Sequence, residues 1–189
     1  MLEMRQSAGV RHVIIAALLN ALRRDGSAEV EMSEALARAG VHEFAVDEQV
    51  QLKEGLVGAF LRDRQPIWIR WFENEIEARY EATGGGLEII SDVLQMGFED
   101  PKCLGCAFLN IVAEGGDFAS EPFAIAREQK EQLRRFVEQL AVRMGLQHPD
   151  MAASAAVLVI EGTIVRTLMT GSLKEAQTAR LLFQCLQHA

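Results

Sequence analysis

The chain has 189 residues, 49% of them hydrophobic and 24% charged, a balance that fits a folded protein and excludes a disordered one. Its formal charge of −8 excludes a surface that is basic overall, so any hold on nucleic-acid phosphates must come from local clusters of Lys and Arg. The three cysteines (Cys103, Cys106, Cys185) cannot form an even disulfide framework, Met1 to Gly9 lacks the apolar region of a signal peptide, and no run reaches the roughly 18 uncharged apolar residues of a membrane span, so a cytoplasmic protein with no membrane partner is expected.

Val10, Val13, Ile14, Ala17, Leu18, Ala21 and Leu22 recur at helical spacing and form one apolar face that ends near Asp25-Gly26. A short helix is expected from about Ser33 to Ala39, closed by Gly40, and another from His42 to about Val50. Two short helices about a tight glycine turn make a helix-turn-helix pattern. A long helix follows from near Lys53 to about Ala82, in which Pro66 should produce a kink or a split. Thr83-Gly84-Gly85-Gly86 breaks it. Further helices are expected over Leu87–Phe98, Cys103–Glu114, Pro122–Met144 and from Pro149 to Thr170, the last stopped by Gly171. Ser172 with Glu175 three residues on forms the capping box of a final helix to about Gln187. No period-2 pattern appears, so the fold class is all-α: an N-terminal three-helix domain (1–52) with the helix-turn-helix, and a C-terminal helical bundle (53–189).

Few residues carry the marks of chemistry. Cys103-Leu-Gly-Cys106 has the CxxC spacing, but a redox reading needs a preceding strand and a zinc reading needs about four ligands. His12, His42, His148 and His188 show no ligand spacing, so no metal and no cofactor are expected. Gly84-Gly85-Gly86 lacks the strand and the Gly-Lys-Ser/Thr of a phosphate loop and reads as a linker. No catalytic triad order, HExxH or nucleophile elbow is present, which argues against an enzyme. Trp68, Trp71 and Phe72 share a helix face with Ile76 and Tyr80. Such a stripe either packs a core or lines a cavity between helices. Glu114 and Glu161 are carboxylates in apolar segments, able to orient a ligand or to sit at the helix surface.

The order of elements, with Ala37-Arg38-Ala39-Gly40-Val41 and, twelve residues after Val41, Lys53-Glu54-Gly55-Leu56, resembles the TetR (tetracycline-repressor) family of bacterial regulators. Gly105-Cys106-Ala107-Phe108-Leu109-Asn110 with Glu114, and Glu161-Gly162 later, are similar to motifs of one large subgroup. The resemblance covers about residues 8 to 187. It implies a DNA-reading N-terminal domain, here with His42, Phe44, Gln49 and Lys53 as contacts, and a C-terminal domain that holds a small molecule and dimerises through its last two long helices. The ligand, apolar or amphipathic, is expected among Trp68, Trp71, Phe72, Cys106, Leu109, Ile160 and Ile164, oriented by Asn110, Glu114 or Glu161. Val157, Ile160, Ile164, Leu168, Leu182 and Leu186 are the expected dimer residues, because Met151 to Ile160 is apolar nearly all round and needs burial on two sides.

One departure from that family bears on function. Its recognition helix usually carries Tyr and a second aromatic where this chain has Asp47 and Val50. Residues 42–50 contain Glu43, Asp47 and Glu48 and no Lys or Arg, and residues 1–55 carry six cations against nine carboxylates. Ionised carboxylates repel phosphate and give up the counterion release on which DNA affinity depends. Three functions stay open on the sequence: a DNA-binding regulator, a related protein that has lost DNA binding and contacts another protein, and a small-molecule-binding or thiol-responsive carrier.

Overall fold

A computed structural model describes residues 53–99 and 120–187. The expected first helix, the helix-turn-helix and the helix at Cys103–Glu114 lie outside the described residues. Among the described residues there are five helices and no strand: α1 (Lys53–Thr83), α2 (Ile89–Glu99), α3 (Glu121–Arg143), α4 (Pro149–Thr170) and α5 (Lys174–Leu186). The chain divides into two compact units, Met1–Gln65 with Phe108–Ala126 and Pro66–Ala107 with Arg127–Ala189.

In the first unit, the described contacts join the start of α1 to the start of α3. Gly58 is buried, and a Cβ there would stand 3.1 Å from the Glu121 carboxylate and 3.6 Å from Ile125 Cδ1. Arg62 pairs with Glu121 beside it.

The second unit holds most of the described core. Ile69, Phe72 and Ile76 of α1, Leu133, Phe136, Val137, Leu140 and Ala141 of α3, Ile160 and Ile164 of α4, and Phe183 of α5 are all buried. α4 packs against α5, and α2 packs against both. Small residues on the contact faces, Ala152, Ala153 and Ala156 of α4 and Ala176 and Ala179 of α5, let the helix axes approach closely. By length and composition α4 is apolar enough to cross a membrane, but here it is a packed element of this bundle.

The helix ends follow the sequence signals. Gly84, at φ +60°, closes α1 by donating its N–H to Tyr80 O at 2.8 Å. At the end of α3, Gly145 (φ +74°) donates to Val142 O and Leu146 donates to Ala141 O, the paired bonds of a Schellman motif. Pro149 opens α4 in its first turn, and Gly171 (φ +64°) closes it with a bond to Thr167 O.

One expectation is narrowed and one is corrected. Of the kink or split expected at Pro66, the split does not occur, and α1 runs through it unbroken. Pro66 and Arg62 are both exposed, so water can replace the amide that proline removes from the Arg62 carbonyl. The Ser172–Glu175 capping box does not form, and α5 is capped at Leu173 without a side-chain bond. Ser172 Oγ accepts from the Lys174 amide at 3.3 Å, and the Ser172 amide donates to Thr170 Oγ1. The Glu175 carboxylate is drawn to Arg166 at 3.2 Å, because a charged partner outbids a backbone amide.

Candidate ligand site and dimer face

The aromatic stripe of α1 lies in the second unit and is packed. Phe72 is fully buried, stacked on Trp68 at 4.9 Å between ring centres and set edge-on to Phe136 at 6.4 Å. Trp71 lies against Gly97 of α2, where an added Cβ would stand 3.2 Å from the indole. One to two helical turns further on, the Arg143 guanidinium donates to both oxygens of Glu77 (2.7 and 2.9 Å), lies over the Tyr80 ring and has its pKa raised by that bond. Phe72–Phe136 and Glu77–Arg143 are successive rungs, so α1 and α3 run in the same direction here.

Of the other expected ligand residues, Ile160 and Ile164 are buried, and Glu161 is partly buried and paired with Lys130 at 3.3 Å. Cys106, Leu109, Asn110 and Glu114 lie outside the described residues, as do His42, Phe44, Gln49 and the Lys53 side chain. A surface cleft of about 700 Å³ opens at the glycine-loop end of the unit, between Tyr80, Gly84, Met144, His148 and Gln187, and the expected ligand residues do not line it.

Sequence reasoning overlooked Gln129 on α3. It is 1% exposed, and among the described residues neither its amide nitrogen nor its oxygen has a hydrogen-bond partner. Its signal was present in the sequence: one amide at helical spacing within the otherwise apolar series Leu133, Phe136, Val137 and Leu140.

α4 shows two opposed apolar faces. At 100° per residue, Ala152, Ala153, Ala156, Ile160, Thr163 and Ile164 cluster on one side, and these are its buried residues. Met151, Leu158, Val165 and Met169 fall on the opposite side, with Ser154 and Gly162 between them, and all are exposed. Leu158 at its centre is 72% exposed. Of the expected dimer residues, Leu168 and Leu182 are exposed and Val157 and Leu186 partly so, whereas Ile160 and Ile164 are turned into the protomer's own core. Leu181 and Leu182 of α5 add to the exposed apolar surface.

Neither a protein-family model nor a curated protein matches the sequence. Solved structures do match it, nearly end to end. A TetR-family transcriptional regulator from Streptomyces coelicolor superposes with a TM-score of 0.79 at 17% identity, over 96% of this chain and 95% of that one. The fold is that of the TetR family. A TetR regulator from Chloroflexus aurantiacus gives a TM-score of 0.75 at 17% identity, over 95% and 94% of the two chains. The multidrug binding protein EbrR, solved in complex with malachite green, gives 0.71 at 18% identity, over 94% and 97%. The expectation of an all-helical TetR-like architecture is thus met.

Proposed function

We propose that the protein is a homodimeric, ligand-responsive transcriptional regulator of the cytoplasm, with a reading head in residues 1–52 and a ligand-binding and dimerising body in 53–189. The observation that carries this reading is the match to TetR-fold regulators over more than nine tenths of both chains. The dimer is supported by the exposed apolar face of α4 and α5, because a monomer seldom leaves so continuous an apolar stripe in water. Ligand binding is supported by the dye bound to the EbrR neighbour, which has the same fold. DNA contact would fall to His42, Phe44, Gln49 and Lys53.

A second reading is favoured by the carboxylates Glu43, Asp47 and Glu48: a TetR-fold protein that has given up DNA and works through a protein partner or as a small-molecule-binding protein. Gel-shift titration with the DNA upstream of the protein's own gene, at low salt and then at about 150 mM, separates the two. A retarded band that a bound small molecule releases supports the regulator. No shift at either salt supports the second reading.

A further inference from the structure

We infer that the side-chain amide of Gln129 is the hydrogen-bonding determinant of the ligand pocket, and that it selects a flat, neutral ligand carrying a donor and an acceptor side by side, as a cis-lactam does. The inference rests on the ligand-binding reading above and assigns that site a residue and a ligand chemistry.

Native proteins rarely bury an amide with neither end paired, because water is given up and nothing replaces it. Gln129 is in this state among the described residues, on a helix face otherwise filled by Leu133, Phe136 and Val137. An apolar side chain of similar size would fit that face at no such cost. An amide offers an N–H and a C=O in one plane, so a partner supplying only one complement leaves the other end orphaned. A lactam or primary carboxamide satisfies both.

Position supplies the flatness. Gln129 lies seven residues before Phe136, so the two point the same way, about 10 Å apart along α3. Trp68 lies four residues, about 6 Å, before Phe72, the partner of Phe136 on the parallel α1. Along the helix axes the Trp68–Phe72 stack therefore stands roughly one turn from the amide, and the half-buried Trp68 ring is the flat surface it offers. Charge supplies the neutrality: Lys130, next in sequence, is held by Glu161.

The test titrates the full-length protein with 2-quinolinone and with N-methyl-2-quinolinone, which keeps the shape and the carbonyl but lacks the donor. Trp68 and Trp71 are the chain's two tryptophans, so intrinsic fluorescence reports this site. The lactam should bind at least about tenfold more tightly than its N-methyl analogue. Gln129→Leu should bind both alike and should melt at a higher temperature without ligand. Gln129→Met, closer in shape, carries the same expectation if the branched leucine disturbs packing. Equal binding of the two compounds by the wild-type protein overturns the assignment to Gln129 and leaves the ligand-binding reading standing. Binding of neither compound also overturns it, and the broader reading then rests on the gel-shift assay. A lower melting temperature in both variants shows that the amide is already paired inside the folded chain, and it ends the proposal.

Discussion

The Lys130 ammonium stands 3.3 Å from the Glu161 carboxylate and ties α3 to α4, each side chain about a quarter exposed. A carboxylate read from the sequence as a ligand-orienting group is thereby engaged within the protomer. Glu161→Gln should weaken this tie and cost about 1 kcal/mol, the upper range for an exposed pair because this one is partly shielded from solvent. For a chain of this length that corresponds to a melting temperature lower by roughly 2–4 °C. Calorimetry checks it. A variant that melts like the wild type but loses ligand would return Glu161 to the pocket.

Phe72 is the centre of the aromatic packing, fully buried between the Trp68 face and the Phe136 edge. Phe72→Ala removes a ring that its neighbours cannot replace and should cost about 3–5 kcal/mol. Urea denaturation followed by tryptophan fluorescence measures the loss. A cost under about 1 kcal/mol would mean that the neighbours collapse into the space, or that a cavity was already there for a ligand.

Two glutamates should respond to pH in opposite senses. Burial first, and the charge of Glu77 second, raise the Glu73 carboxyl above its ordinary value. Its folded state favours the proton, so the stability it contributes is present in acid and is lost as pH rises through the folded pKa. Glu73→Gln should therefore raise the melting temperature at pH 7 by about 1–2 °C, an effect on the scale of surface charges, with the gain vanishing below pH about 4. Burial also works to raise Glu88, but it is outweighed by hydrogen bonds from its own backbone, Gln187 and the Gly86 amide, and by the charge of Arg180. Its net shift is downward, so its contribution is present at neutral pH and is lost as pH falls through the lowered pKa. Glu88→Gln should melt lower at pH 7, and melting curves between pH 3 and pH 7 test both signs.

The helix pattern was legible because backbone-breaking residues mark its ends: Gly84 and Gly171 at positive φ, and Pro149 in a first turn. The choice between a kink and a split at Pro66 was not legible, because breakage depends on whether water can reach the freed carbonyl, which is a matter of exposure. Composition showed that α4 is apolar on two sides. It could not say that Ile160 and Ile164 take the inner side and Leu158 and Val165 the outer, since periodicity fixes relative faces and not which one meets the core. Gln129 was passed over because a polar residue in an apolar stripe draws notice only once its lack of partners is seen.

The outer face of α4 leads to a test of assembly. Leu158 lies at its centre, flanked by Met151, Val165 and Met169, all exposed. If two copies join across this face and α5, Leu158→Glu buries an unpaired carboxylate in the interface and should yield monomers in sedimentation at micromolar concentration. Leu182→Glu should act in the same direction. Val157→Glu, at the flank of the face, should act less strongly. A wild-type protein that sediments as a monomer would remove the dimer from the proposed function.

The head gives the sharpest prediction about DNA. Residues 42–50 present Glu43, Asp47 and Glu48 and no Lys or Arg. Non-specific affinity for DNA comes almost wholly from neutralised phosphates, so this segment supplies repulsion where attraction is needed. A carboxylate can still read a base by accepting from cytosine N4, which adds selectivity but not the missing attraction. Lys53, Arg5 and Arg11 offer a few phosphate contacts nearby in sequence. The unmodified protein should therefore bind its upstream DNA weakly at about 150 mM salt and with a shallow salt slope. Asp47→Tyr combined with Glu48→His removes two negative charges and adds a phenol that can donate to phosphate, and it should produce a measurable gain in affinity. Tight, sequence-specific binding by the wild-type protein with a steep salt slope would show that its basic residues converge on the DNA despite the acidic segment. The protein-partner reading would then fall.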